Sequence, residues 1–587
     1  MENEQWKKDV KLLDRVESNH SQTPVFYKNK HLALGLIYLS LDELTSIYHI
    51  TESHAPGFRY QASLLYEKSI QETDHQILPL MKENFDVNCC NKAIDENIQK
   101  MLEKVEEMPK EWTLVQLTPV FNPQESNNIN PSNVYTNPLH ITIFNCGQNK
   151  SNPITVCVDA PRDNDDNVIN VMDMMSKLIS GQNNEYKKFK DFKKNKSSYI
   201  EHRRRINTEM QNIVKVVQTK WLKEWRALLI GKYENPEIED ELNNMLSFLL
   251  KQNNLHIAIN ERSRILMKQI IKGHSFMDLI HLKKAIQYAL PDISSDQCIG
   301  ITKTLNQIML KKNIFHGEKR HPVIIVVHEA IDKIPWEMID VLADHPVCRM
   351  QSLHFTYALY KEHEHDIQNG WKIISNPIKG SYILNPSLDL MNMEVRLKSF
   401  FSYWLPKWNY IIGKKPTSDE FLSILSESDI FCYNGHGDGF QFLSESRLKK
   451  LRINAVVLLF GCGSVKLDAV GAELEPTGTS QNYITACSPC TVGMLWSVTD
   501  TDTDILSTDF LSRWIPSKAK VHWRNLDRKA WELAVETNIS NLQKNDEKVT
   551  HQVSELLTAL VKSKKAANQY ITQAACVARG IPVKLKY

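Results

Sequence analysis

The sequence predicts an α/β protein whose mostly parallel sheet is flanked by helices. From His321 onward, short and continuous apolar runs alternate with helix-like stretches. Continuous apolar runs are typical of strands buried on both faces. Strands that alternate with helices form parallel sheets with right-handed crossovers.

The first part of the chain, residues 1–110, is predicted to be helical. His31–Ile50 is apolar with few helix breakers, and Cys90–Met108 is charged and amphipathic. The hydrophobic period then changes from that of a helix to that of a strand. We expect three strands of one sheet with a half-exposed face, at Trp112–Gln116, Leu139–Ile143 and Ile154–Val158.

A long insertion, at about residues 168–318, is predicted to be helical. Its basic start, Glu185 to Arg205, is more typical of a solvated segment than of a nucleic-acid surface. From Ile206 to Leu228, apolar residues recur at steps of three and four and include Trp221 and Trp225. This spacing predicts one helix with both tryptophans in the core.

The remaining apolar runs define the parallel sheet. They lie at Val323–Val327, Tyr382–Leu384, Ile430–Tyr433 and Val456–Phe460, and another begins at Thr491. Helices are expected between them at Leu390–Tyr403 and Ser418–Ser426.

The overall composition is typical of a globular protein. Of the 587 residues, 42% are hydrophobic and 24% are charged, and the net charge is +2. This charge gives no general attraction to nucleic acid or to acidic membranes. We expect no membrane span and no signal peptide. Eleven cysteines without framework spacing suggest free thiols in the cytoplasm or nucleus.

Two strand ends carry the expected chemistry. The segments 429–439 and 455–464 each stop at glycine, and they present His436 and Cys462. Active groups of a parallel sheet gather at the carboxyl ends of its strands. A histidine and a cysteine there predict a cysteine protease of the caspase type, in which Cys462 attacks and His436 transfers the proton. The amides of Gly437 and Cys462 are candidates for the oxyanion hole.

Three aspartates, Asp500, Asp502 and Asp504, follow the last of these strands at alternate positions. Carboxylates beside a nucleophile would suit a substrate arginine. An acidic helix N-terminus is an equally good interpretation. Cys487 and Cys490 form a single Cys-x-x-Cys without the second pair that zinc requires, so we expect a structural role and no metal or other cofactor.

From about residue 100 to its end, the chain resembles separase, the caspase-related endopeptidase that opens the cohesin ring. The resemblance rests on ten segments: Glu-Trp-Thr-Leu-Val-Gln-Leu (111–117), Trp-Leu-Lys-Glu-Trp (221–225), Ile-Pro-Trp-Glu (334–337), Pro-Val-Cys-Arg-Met-Gln-Ser-Leu (346–353), Tyr-Ile-Leu-Asn-Pro (382–386), Gly-His-Gly (435–437), Leu-Leu-Phe-Gly-Cys (458–462), Pro-Thr-Gly (476–478), Leu-Trp-Ser-Val-Thr-Asp (495–500) and Gly-Ile-Pro-Val (580–583).

The resemblance implies that His436 and Cys462 are the catalytic dyad. It implies cleavage of the cohesin kleisin after arginine, in sites of the form Asp/Glu-x-x-Arg, and inhibition by a securin-type protein. Residues 111–375 would be a non-catalytic caspase-like domain that carries the insertion, and 376–587 would be the protease domain. The acidic run from Asp500 matches the arginine pocket, for which we favour Asp502 supported by Asp500.

Three positions depart from the family pattern. Ser497 stands where aspartate is usual, Gly463 precedes Ser464 where two serines are common, and Arg579 replaces a common tyrosine. The helical part before residue 110 is short for the family, so we expect a separate helical arm subunit as partner. Glu201–Arg204 fits the cleavage pattern, which suggests self-cleavage. An inactive caspase-like scaffold and a protease of different specificity are the alternative functions.

Overall fold

The computed structural model of this chain describes residues 23–71, 79–85, 93–122, 137–147, 151–188, 196–253, 255, 259–311, 314–315, 317–375, 378–449, 451–469, 471, 474–535 and 552–586. Side chains are described outside 183–196, so those of the basic stretch from Lys187 to Lys196 lie outside this set. Among the described residues, no helix combines the length and the apolar character that a bilayer span needs.

Within the described residues, one continuous sheet of eleven strands organises the molecule. Its strands are β1 Thr113–Pro119, β2 Leu139–Asn145, β3 Ile154–Val158, β4 Val323–Val327, β5 Val347–Met350, β8 Gly380–Leu384, β9 Asn409–Ile412, β10 Ile430–Asn434, β11 Val456–Leu459, β12 Cys490–Met494 and β13 Cys576–Gly580. They lie in the order β3-β2-β1-β4-β5-β13-β12-β11-β10-β8-β9. Most neighbours pair in parallel, which confirms the predicted fold class. A small second sheet contains β6 Ile367–Gln368, β7 Trp371–Ile374 and β14 Val583–Leu585.

Among the described residues, helices precede the sheet and fill the insertion between β3 and β4. Four lie before the sheet: α1 Pro24–Tyr38, α2 Glu43–Glu52, α3 Pro56–Gln71 and α4 Ile94–Glu107. Six form the insertion: α5 Val171–Lys188, α6 Lys196–Val216, α7 Glu237–Gln252, α8 Glu261–Lys272, α9 Leu279–Ala289 and α10 Ser295–Lys311. The others are α11 Leu353–His363, α12 Met391–Trp404, α13 Ser418–Ser426, α14 Glu445–Leu448, α15 Thr479–Thr485, α16 Asp500–Trp514, α17 Lys529–Glu532, α18 Leu556–Lys564 and α19 Tyr570–Ala575.

The polar face of strands β1 to β3 is buried, so the expected half-exposed face is wrong. The helices before residue 110 cover it and form hydrogen bonds with some of its groups. Gln116 Nε2 donates to Thr51 Oγ1, and the Thr155 amide donates to Glu43 Oε1 at 2.9 Å. An alternating pattern reports polarity, and a polar residue can face a hydrogen-bonding helix as well as water.

The helix expected from Ile206 to Leu228 also differs from prediction. The α-helix α6 ends at Val216, and the chain continues as a π-helical stretch, Val217–Leu222, and a 3-10 stretch, Lys223–Leu229. The predicted core role of the tryptophans is confirmed. Trp221 is buried against Trp336 at a ring distance of 6.0 Å, and Trp225 packs on Tyr288 at 4.7 Å.

The two halves of the sheet meet where β13 pairs with β5, and a buried ion network closes this junction. Arg579 donates two hydrogen bonds to Asp332, at 2.9 and 2.6 Å. Its register partner Arg349 does the same to Glu337, at 2.7 and 2.6 Å. Residues 111–375 and 376–587 therefore share one sheet, and the domain division at residue 375 stays a prediction.

Candidate active site at the carboxyl edge of the sheet

His436 and Cys462 follow the carboxyl ends of two neighbouring parallel strands. In the β10–β11 pair, Tyr433 lies opposite Leu459, and each candidate residue comes three positions later. The two side chains therefore leave the sheet at the same level. Both line a cavity of about 560 Å³ that is also bounded by the start of α16.

The glycine at position 461 holds the two loops together. A Cβ atom at Gly461 would lie 1.9 Å from the carbonyl oxygen of Gly437 and 2.6 Å from that of Gly435. No other residue can bring the cysteine loop this close to the histidine loop. Gly437 itself has φ +61°, a conformation that side chains other than glycine rarely adopt.

The cysteine loop is fixed from below by hydrogen bonds. Ser464 Oγ donates to the Leu459 carbonyl at 2.7 Å and accepts from the Met494 amide at 3.0 Å. The Gly463 amide donates to the Trp496 carbonyl at 3.1 Å. The second serine usual in the family is therefore not needed to attach this loop to β12 and the segment after it.

The Cys462 side chain is exposed, and its sulfur contacts the backbone of Val498. Its Sγ donates to the Val498 carbonyl at 3.3 Å and accepts from the Val498 amide at 3.4 Å. Partial desolvation of the sulfur raises the pKa of Cys462, the Val498 backbone hydrogen bond opposes this shift, and the charge of Asp500 adds to it. The sulfur must therefore lose its proton to a base before it can attack.

His436 contacts a carboxylate that the sequence analysis missed. Its Nε2 lies 3.0 Å from Asp389 Oδ2, and both side chains are more than half exposed. The His436 carbonyl accepts from Tyr433 Oη at 3.0 Å and from Gln441 Nε2 at 3.1 Å. Within the described residues, no hydrogen bond joins the His436 ring to Cys462. The available signal for Asp389 was its place just after a third strand end, that of β8.

The amides expected to form the oxyanion hole donate to no other residue. In the described part of the chain, the Gly437 N–H has no protein acceptor, and the Cys462 N–H contacts only the sulfur of its own side chain. Unpaired backbone N–H groups are uncommon in folded proteins unless water or a ligand accepts from them. The two amides are thus available to an oxygen anion.

The three aspartates begin helix α16, and two of them are neutralised within the chain. Arg396 on α12 donates to Asp500 at 3.0 Å and to Asp504 at 2.7 Å. Burial raises the pKa of Asp504, and the charge and hydrogen bond of Arg396 act to lower it. The interpretation as an acidic helix start is therefore confirmed. All three residues also line the cavity, and their binding of a substrate arginine stays a prediction.

Asp502 differs from its neighbours. It is 5% exposed, its Oδ1 accepts from the Asn568 amide at 3.3 Å, and its Oδ2 has no hydrogen-bond partner among the described residues. Burial raises its pKa, and the charge of Arg203 acts in the opposite direction. Arg203 is buried and lines the same cavity.

The helical insertion thus forms one wall of the cavity. Arg203 and Tyr199 enter it from α6, and Gln182 on α5 donates to the Ser497 carbonyl at 2.7 Å. The expectation of an exposed basic segment is therefore wrong for Arg203, whereas Arg204 is exposed. The proposed self-cleavage motif, Glu201–Arg204, lies inside α6, so this helix must unwind before a protease can bind it as an extended chain.

The remaining candidates have no catalytic geometry. Cys487 and Cys490 are buried free thiols, as expected for a structural pair. In the parts of the chain that the structure describes, no cluster of three or more His, Cys, Asp or Glu side chains could hold a metal ion.

Comparison with known proteins identifies relatives of this chain. A protein-family model described as "Separin, protease domain" matches residues 137–503. Separin from Mus musculus is 28% identical over 318 residues, which are 53% of this chain and 14% of the relative. Separin from Schizosaccharomyces pombe is 32% identical over 234 residues, which are 39% of this chain and 12% of the relative. The matched regions are thus a small part of these relatives.

The fold also matches a solved structure. The crystal structure of the Saccharomyces cerevisiae separase–securin complex at 3.0 Å superposes with a TM-score of 0.69 and 17% identity. The match covers 98% of this chain and 37% of the other. At this identity the structural similarity shows the fold alone. The match to the family model shows the relationship in sequence.

Proposed function

This chain belongs to the separin family, and from that premise we propose that it is a cysteine endopeptidase with Cys462 as nucleophile and His436 as acid–base group. The observation that carries the proposal is the matched register of the two residues on β10 and β11, with Gly461 fitting only as glycine between their loops. An inactive scaffold would not need a cysteine loop held against a histidine loop.

The proposed reaction has two halves. His436 removes the Sγ proton of Cys462, and the thiolate adds to the scissile carbonyl carbon. The amides of Gly437 and Cys462 then stabilise the oxyanion, and the imidazolium gives its proton to the leaving amine as the C–N bond breaks. Water, deprotonated by the same imidazole, hydrolyses the thioester and restores the thiol. Asp389 orients the ring and stabilises its charged form.

The substrate is proposed to carry arginine at the cleaved position. Asp500 and Asp504 are occupied by Arg396, which leaves the unpartnered Oδ2 of Asp502 as the carboxylate for a substrate guanidinium. Arg203 faces the same carboxylate, so a substrate arginine must compete with it for Asp502 or share it. The kleisin subunit of cohesin, cut after arginine, is the substrate we propose from the family relationship.

A securin-type inhibitor and a separate helical subunit are the proposed partners, and the cytoplasm and nucleus are the proposed locations. The solved structure with the matching fold is a complex with securin, which supports the inhibitor. Affinity purification of this chain from its own cells tests the subunit. A stable chain that responds to the inhibitor with no helical companion would contradict that part of the proposal.

One assay separates the proposed protease from its alternatives. Wild-type protein and Cys462→Ser are incubated with peptides that differ only in arginine, lysine or aspartate at the cleaved position. We expect cleavage of the arginine peptide by the wild type, none by Cys462→Ser, and full activity in Cys157→Ser, whose exposed thiol lies outside the site. Preference for lysine or aspartate would support a different specificity. No thiol-dependent cleavage, with any helical partner present, would exclude the protease.

A further inference from the structure

A second and larger cavity, of about 900 Å³, lies at the opposite edge of the sheet. Glu111 and His321, which precede the parallel strands β1 and β4, form its floor, and the insertion helices α7 and α8 form its wall. The candidate active site follows the carboxyl ends of β10 and β11. The two cavities therefore open at opposite edges of one sheet.

Helix α8 presents a row of basic residues to this cavity. Arg264, Lys268 and Lys272 recur at every fourth position, and all three line it. Residues four apart lie on one face of a helix. Lys232 joins them from the side of the sheet, where its Nζ donates to the carbonyls of Cys146 at 2.9 Å and Trp112 at 3.2 Å. Its charge is thus held by neutral groups.

The positive charge here exceeds the negative charge. Glu239 forms an ion pair with Lys268. Although burial acts to raise the pKa of Glu239, the Lys268 hydrogen bond and the charges of Lys272, Lys268 and Lys232 lower it. One carboxylate thus lies among three ammonium groups. The other carboxylates that line the cavity are Glu111, Glu234, Glu261 and Glu555. Together with Glu239 they make five acidic side chains, against six lysine and arginine side chains: Lys110, Lys232, Arg264, Lys268, Lys272 and Lys584.

Lys272 is the group that points to a ligand. It is 7% exposed, and among the described residues nothing forms a hydrogen bond or an ion pair with its Nζ. Its neighbours include the ring of Tyr233, 5.9 Å away, and burial lowers the pKa of Lys272 to about 8. The amine is therefore still mostly charged at neutral pH. A buried and unpaired charge is costly, and proteins keep one where an anion pairs with it.

A second unsatisfied group lines the same place. Gln269, the residue directly after Lys268, is buried. Its Nε2 donates to the Ile230 carbonyl at 3.3 Å. Its Oε1 has no partner in the described part of the protein. We propose that this cavity binds a phosphate group, as a free phosphate compound or a phosphate ester, with its oxygens on Lys272 and Lys268 and a hydroxyl donating to Gln269.

Binding is tested on the full chain by thermal unfolding with inorganic phosphate, pyrophosphate and O-phosphoserine. Pyrophosphate and O-phosphoserine distinguish a free phosphate compound from a phosphate ester. We expect at least one of them to stabilise the wild type in a saturable way. Lys272→Met loses a charge-assisted contact, so its affinity for that compound should be at least about tenfold weaker. The control Lys284→Met removes an exposed charge outside the cavity and should bind as the wild type does.

The response without ligand separates binding from a structural role. Because Lys272→Met removes an unpaired buried charge, it should unfold at the same temperature as the wild type or at a higher one. A wild type that responds to none of the three compounds would overturn the proposal, as would a Lys272→Met variant that responds equally.

A measurement on the wild type alone covers the case in which the variant fails to fold. Acetic anhydride is allowed to modify the lysines, and mass spectrometry measures the acetylated fraction of Lys272 and Lys284. Pyrophosphate or O-phosphoserine should reduce the modification of Lys272 about tenfold at saturation and leave Lys284 unchanged. Equal modification of Lys272 with and without these compounds would refute the site.

Discussion

Gly461→Ala is expected to lower kcat/KM for peptide cleavage about 100-fold while the protein stays folded. The added Cβ would lie 1.9 Å from the Gly437 carbonyl oxygen, whereas real contacts of this kind are essentially never under 3.0 Å. The cysteine and histidine loops must therefore separate by about 1.1 Å, the difference between these distances. A displacement of this size costs about 100-fold in rate when reacting groups must be aligned.

The assay is kcat/KM on an arginine peptide, with thermal unfolding of the same samples. Gly181→Ala is the matched control, because Gly181 lies in helix α5 and a Cβ there meets nothing within 4 Å. The control should keep full activity. If Gly461→Ala keeps activity within about threefold of the wild type, the two loops do not form one reacting unit, and the reasoning is refuted.

Four further predictions follow from the site and the junction. Asp502→Asn should lower kcat/KM for arginine peptides about 10- to 100-fold relative to citrulline peptides, because it removes a charge-assisted contact. Asp389→Asn should lower kcat about tenfold at unchanged KM, because the imidazolium loses its carboxylate. The rate at which iodoacetamide alkylates Cys462 should increase with pH, with a midpoint above 9.0, the ordinary thiol pKa. Desolvation raises the pKa of Cys462, and only the thiolate reacts. Arg579→Met should destabilise the protein to urea by about 3 kcal/mol, because buried Asp332 loses both hydrogen bonds from Arg579 and keeps only the longer ion pair with Arg349, at 3.6 Å.

Each of these has a result that would contradict it. Equal loss on arginine and citrulline peptides would remove Asp502 from recognition, and a change confined to KM would remove Asp389 from proton transfer. Alkylation that is already complete at neutral pH would mean that Cys462 rests as a thiolate. For the junction, Arg162→Met is the control, since its ion pair with Asp166 is exposed and contributes little. Equal destabilisation by both variants would show that the buried ion network contributes no more to stability than an exposed ion pair does.

The elements that local sequence defines were predicted closely. The β4 strand has the predicted bounds, Val323–Val327, because a short, β-branched apolar run is typical of a strand buried on both faces. The α13 helix also matches, and a capping box fixes its start: the Glu420 amide donates to Thr417 Oγ1 at 3.2 Å, and the Thr417 amide donates to Glu420 Oε2 at 2.8 Å.

Features that depend on distant contacts escaped the sequence analysis. Arg203 is far from Asp502 in the chain, so only the packing of α6 on the protease half reveals that they face one cavity. His140 and Thr142 alternate with apolar residues and predict an exposed face, but the N-terminal helices bury it. Arg579 differs from the family pattern, and its function in the junction depends on Asp332, which lies 247 positions earlier.

The central claim is that Cys462 is the nucleophile and that His436 activates it. A peptidyl-arginine acyloxymethyl ketone, which alkylates an attacking thiolate, tests this when mass spectrometry locates the adduct. We expect one adduct, on Cys462, formed much more slowly in His436→Ala and not formed with the aspartate version of the reagent. An adduct on another cysteine, or labelling of Cys462 at an unchanged rate in His436→Ala, would contradict the account.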